Sequence, residues 1–215
     1  TCLYGVHQHY NMTCVQTGDV VLFKGEQGLL DRAISWFTDS PYTHVGLVLC
    51  NPPGLPAGPY VIESSIESTP DASSGRKVFG VQLQPLSTIL SAHGTASVRS
   101  LKRSGKAPDL TPHLAKAFRA VDGRPYDVDL CDWLQAELRV HCPHMVWEQR
   151  DDTFWCSALV AYLYVKLGLL PANLPWTLVS PKEWGPDGML EAELINCKLG
   201  TPMAGPFHSM SSPPS

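Results

Sequence analysis

The chain lacks any uninterrupted apolar stretch approaching the roughly 20 residues that a membrane-spanning helix needs. No charged, apolar and small-residue pattern opens it as a signal peptide would. A membrane span is therefore not expected, although peripheral contact is compatible with the composition. A cluster of Lys and Arg is missing too: 16 basic residues are scattered against 20 acidic ones, for a net charge of -4 and a pI near 6.0. With no basic face to track phosphates, nucleic acid is not an expected partner. Neither a glycine-rich phosphate loop nor a Gly-x-Ser-x-Gly elbow occurs, which argues against nucleotide binding and serine hydrolysis. Cysteine is present without the spacing of a disulfide framework. The 7 cysteines are an odd number, so at least one thiol is unpaired within the chain, and a reducing compartment such as the cytoplasm is favoured. No internal repeat is visible. The first residue is Thr rather than Met, from which removal of an upstream segment is expected.

What is there suffices for one domain: 215 residues, 44% of them apolar, close one sizeable core. The expected organisation is an N-terminal extension over 1–16, a domain over 17–199 and a disordered or surface-draped tail over 200–215, where four prolines and four serines leave little to pack. Thr17-Gly-Asp turns into the apolar run Val20 to Phe23, a buried strand, and a helical pattern follows over 28–37. Strands are expected at 43–50 and 60–64, paired antiparallel, then a polar loop over 66–77, a strand at 78–83, a short helix at 85–90 and a strand at 96–101. The sheet should hold five or six strands. A helix over 111–121, with Thr111 as cap, precedes a sharp turn at 123–127, and another helix is expected over 130–140. The widest apolar helical face begins at Cys156 and ends at Gly168. The fold class is therefore α+β, a small antiparallel sheet packed against helices.

The chemistry concentrates in three residue types. A thiol becomes a strong nucleophile on ionising, and a helix N-terminus favours the thiolate through its dipole and unpaired N–H groups. Cys156 occupies such a place, and those N–H groups suit an oxyanion. His44, near the start of one strand, is placed to take the thiol proton; Glu63, near the end of the next, is placed to hold the imidazole. Taken singly, a cysteine in an apolar helix is usually core, a strand histidine a satisfied polar group and a strand glutamate a solvated charge. The combination carries the argument.

Five segments in order, Thr17-Gly-Asp-Val-Val-Leu-Phe, Ser40-Pro-Tyr-Thr-His44-Val-Gly-Leu-Val, Val61-Ile-Glu63-Ser, Gly123-Arg-Pro-Tyr-Asp127 and Trp155-Cys156-Ser-Ala-Leu-Val, resemble the circularly permuted branch of the NlpC superfamily, the YiiX/YebB-like papain-fold hydrolases. Lecithin:retinol acyltransferase-like enzymes are cousins. The likeness runs from about Thr17 to Trp184. It implies a permuted papain-like fold in which the histidine precedes the cysteine, and a Cys156–His44–Glu63 triad. It implies a thioester-forming hydrolase or acyltransferase acting on amides or esters, with a peptide-like or lipid acyl substrate and no cofactor. Ala158 stands where many relatives carry an acidic residue. Tyr42 and Tyr126 flank the motifs and are candidates for lining the substrate pocket or assisting the oxyanion, aromatic packing being the more ordinary role. The alternative is a catalytically idle papain-like domain serving a larger assembly.

Other groupings carry less. Cys2, His7, His9 and Cys14, or His141, Cys142 and His144, offer metal donors, but their spacing fits no common zinc site, and no metal is expected. Asn11-Met12-Thr13 is a formal glycosylation acceptor that matters only on a secreted surface.

Overall fold

The computed structural model describes residues 13–24, 40–65, 69–93, 95–105, 107–127, 151–205 and 207–209. Its strands are β1 (Thr13–Val15), β2 (Val20–Lys24), β3 (Tyr42–Cys50), β4 (Pro59–Ser65), β5 (Gly80–Pro85), β6 (Ala96–Arg99), β7 (Leu101–Arg103), β8 (Cys197–Leu199), β9 (Met203–Ala204) and β10 (Phe207–Ser209). Its helices are α1 (Leu86–His93), α2 (Thr111–Arg119) and α3 (Cys156–Lys166), with three 3-10 turns between Trp176 and Glu193. The α+β class holds: six strands form the main sheet in the order β5-β4-β3-β2-β6-β9, antiparallel throughout.

The β-branched and aliphatic runs of β2, β3 and β4 lack a polar face because both sides of the sheet are covered. Val20, Leu22, Val45, Leu47, Ile62, Val81 and Leu83 join one core with α3, whose residues 156–164 are all buried. On the other side Val21, Phe23, Val48, Val61 and Val98 pack with Leu86 and Ile89 of α1. α3 is capped at Leu167, and Gly168 at φ 70° lets the Leu169 N–H bond back to Tyr164 O, as a glycine past a helix end allows. Among the described residues no helix is long and apolar enough to cross a membrane.

The Thr17-Gly-Asp motif is an anchor. Asp19, fully buried, accepts N–H bonds from Gln16 (3.0 Å) and Leu101 (2.8 Å), and the Tyr164 hydroxyl donates to Gly18 O at 2.6 Å. Burial pushes the Asp19 carboxyl up to about 6 in spite of those bonds. Arg99, buried as well, clamps the C-terminal segment by donating to Trp184 O, Gly185 O and Gly200 O and pairing with Glu191 at 2.8 Å.

One expectation needs correction, and others are sharpened or lie outside the described residues. Thr111 is the first helical residue rather than the cap, which is Leu110, and its hydroxyl bonds Thr17 Oγ1 at 2.9 Å instead. Of the segment expected as a disordered or surface-draped tail, the described residues include two short strands laid on sheet edges, β9 on β6 and β10 on β1, because each edge offers unpaired backbone groups that a polar segment can satisfy as well as an apolar one. The helices expected at 28–37 and 130–140 lie outside the described residues. So do Cys2, His7, His9, Asn11, Met12, His141, Cys142 and His144.

Gly123-Arg-Pro-Tyr-Asp127 is more than a turn. After the bend, Pro125 bridges to Gly80 and Tyr126 to Phe154, so this segment stitches the edge of the sheet to the entry of α3. Gly80 makes the stitch possible: its φ is +149°, and a Cβ there would collide with Arg124 O. Gly80→Ala is accordingly expected to destabilise the fold by about 2 kcal/mol, backbone strain and collision combined. A urea-unfolding midpoint unchanged from wild type would contradict this account of the junction.

Candidate active site

β3 brings His44 to the site by way of a register irregularity. Phe23 pairs with His44, yet the next residue, Lys24, pairs with Tyr42, so Thr43 is an extra residue on β3. Bulges of this kind re-aim neighbouring side chains. The imidazole lies on the Phe23 ring, centroids 5.4 Å apart, and is 13% exposed. Two residues on, Gly46 keeps the strands close, since a Cβ there would run into Val61 and lie 3.8 Å from the Glu63 Cβ.

Glu63, 1% exposed, accepts a hydrogen bond from His44 Nε2 onto Oε2 at 2.7 Å and one from Gln82 Nε2 onto Oε1 at 2.9 Å. Both carboxyl oxygens are thus engaged by neighbours. With Nε2 committed to the carboxylate, Nδ1 is the ring nitrogen left for the thiol. Burial opposes the charged imidazole, but the Cys156 charge, the Cys156–His44 hydrogen bond and Glu63 outweigh it and raise His44 to about 10. Cys156 and His44, 112 positions apart in the chain, are therefore neighbours.

Cys156 is 5% exposed and opens α3. Trp155 before it is extended (φ -84°, ψ 170°), no side chain caps the helix, and the first helical bond runs from Leu159 N to Trp155 O. The N–H groups of Cys156, Ser157 and Ala158 thus have no acceptor within the helix. β4 fixes this entry as well: Ser64 Oγ donates to Phe154 O at 2.6 Å, one residue beyond Glu63. The other described cysteines differ. Burial pushes Cys50 up to about 11 and also raises Cys197, so neither thiol ionises readily. Cys14 is exposed.

The structure separates the two tyrosines. Tyr126 sits within electrostatic reach of Cys156; burial, with the Cys156 and Asp127 charges, holds its phenol well above the usual range. Kept protonated, it can donate to a developing oxyanion. Tyr42 belongs to the core, its ring against the position where a Gly185 Cβ would stand, 3.3 Å away. Sequence reasoning missed Gln82 and Gln84. Their signal was the alternation Val81-Gln-Leu-Gln, which ordinarily marks a solvated face; both side chains are buried instead. Among the described residues no group of three or more His, Cys, Asp or Glu side chains is arranged to hold a metal ion.

No family model matches the sequence, and no curated protein does. Five chains of solved structures match. One of them, the metalloprotein yiiX from Escherichia coli O157:H7 (DUF1105), is 21% identical with a TM-score of 0.50, over 90% of this chain and 98% of that one. The fold is therefore YiiX-like.

Proposed function

We propose that the chain is a cysteine hydrolase or acyltransferase of the permuted papain-like kind, with Cys156 as nucleophile, His44 as general base and acid, and Glu63 holding the imidazole. One observation supports the reading: a single imidazole bonded to the Glu63 carboxylate at 2.7 Å and close enough to the thiol at the start of a buried helix for the two to interact. His44 takes the thiol proton, and the sulfur attacks the carbonyl carbon of an amide or ester. The oxyanion receives hydrogen bonds from first-turn N–H groups of α3 and from the Tyr126 phenol. Collapse breaks the bond to the leaving group, which takes its proton from His44, and a thioester remains on Cys156. Water or an acceptor alcohol or amine gives a proton to His44 as it attacks the thioester, and the thiolate departs. The substrate class is a peptide-like amide or a lipid acyl ester or amide.

The metal in the name of the E. coli protein is not carried over: the described residues do not fit one, and His44 Nε2 is engaged by Glu63. No step above uses a metal. Brief exposure to p-nitrophenyl butyrate followed by peptide mass mapping tests the proposal. One butyryl group on the Cys156 peptide, released by hydroxylamine and absent in His44→Ala, is the expected result. Label spread over Cys14, Cys50 and Cys197, or labelling that ignores His44, would overturn it.

A further inference from the structure

A buried polar chain continues beyond Glu63, across β5 and into the loop before it. Gln84, 1% exposed, donates through Nε2 to Pro70 O at 2.8 Å and to Gln82 Oε1 at 3.3 Å. Gln82, fully buried, donates through Nε2 to Glu63 Oε1. Amide groups can be reversed end for end, so their polarity must come from partners of fixed character. Here it comes from the Pro70 carbonyl, which can only accept. That makes the Gln84 NH2 group the donor, which turns the Gln82 oxygen toward Gln84 and the Gln82 NH2 group toward Glu63. Glu63, met by a donor on Oε1, offers Oε2 to His44 Nε2 at 2.7 Å, and an accepting Oε2 places the hydrogen on Nε2. The ring's other nitrogen is left as the base. Asp71 secures the far end: its Oδ1 accepts the Leu83 N–H at 2.7 Å, and the Ala72 N–H bonds Leu83 O at 2.8 Å.

We infer that Gln82 and Gln84 are positioning residues, a relay that starts at the Pro70 carbonyl and holds the Glu63 carboxyl aimed at His44, selecting the tautomer that faces Cys156. Two buried glutamines on one face of a strand that could have packed aliphatic side chains are otherwise costly, since each polar group lost from water needs a partner. The relay rests on the triad proposed above.

The test is a double-mutant cycle read by the rate of iodoacetamide alkylation of Cys156 between pH 5 and 10. Gln82→Met, similar in size but without a donor, is expected to slow alkylation at pH 7 roughly tenfold, the scale of one hydrogen bond to a charged group. In a Glu63→Gln background the same change should have almost no effect. An equal loss in both backgrounds, or none in either, overturns the relay. Should Gln82→Met fold poorly, Gln82→Glu keeps the size and sets two carboxyl groups on one proton; it is expected to add a step to the pH profile, and a wild-type profile overturns the relay too. If His44→Ala alkylates as fast as wild type, the triad itself falls and the relay with it. Reactivity that depends on His44 but ignores position 82 removes the relay alone.

Discussion

Cys156→Ala is expected to abolish acyl-enzyme formation and to lower turnover by roughly 10⁴-fold or more, because nothing else at the start of α3 can form the thioester. The fold should survive. Removing one buried sulfur leaves a small void, at a cost of about 1 kcal/mol, and the helix keeps its other buried residues from Ser157 to Tyr164. Circular dichroism and a urea midpoint close to wild type, with no butyrylation of the protein, are the paired result. Loss of folding with residual acylation elsewhere would make Cys156 an ordinary core residue, which is how an isolated cysteine in so apolar a helix would be read.

His44→Ala carries the second large effect, and its signature is a changed pH dependence. A thiol with no base beside it ionises near 8.5 and is only a few per cent thiolate at pH 7. The variant is therefore expected to alkylate roughly 30-fold more slowly at pH 7 and to approach the wild-type rate near pH 10. Turnover should fall further, by about 10³-fold, since protonation of the leaving group is lost as well. The same pairing enters stability. His44 is raised from 6.5 to about 10, so the stabilisation from its charged form is complete below pH 6.5 and is lost as pH rises toward 10. The wild-type urea midpoint should drop over that interval more than the midpoint of the alanine variant. Parallel curves would mean that His44 does not carry the charge assigned to it.

Much of the architecture was legible because it follows from local pattern. The apolar run at 20–23 read as a buried strand, the β-former-rich run at 43–50 as a strand, and the run from Cys156 as a buried helix that Gly168 stops, and each is so found. Of the candidate site, Cys156, His44 and Glu63 were legible by residue type and by their places at the ends of elements. Tyr42 shows the limit of that reasoning. It stands beside the same motif as His44, yet its ring goes to the core, because the bulge at Thr43 changes the direction in which side chains leave β3. Gln82 and Gln84 show the converse: a polar alternation looks alike whether water or a buried carboxylate satisfies it.

From the sequence alone come the α+β class, the order of histidine before cysteine, the helix that begins at Cys156 and the absence of a basic face. These depend on periodicity, composition and chain order, which need no knowledge of what lies across the sheet. Tertiary structure decided the rest: that an imidazole and a thiol 112 residues apart come within reach, that Tyr126 lies within electrostatic reach of that thiol, and that a hydrogen-bonded chain runs from Pro70 O through Gln84 and Gln82 to Glu63. Such contacts depend on register, on a single extra residue in β3 and on the strained approach at Gly80, where a shift of one position turns a side chain to the opposite face of the sheet.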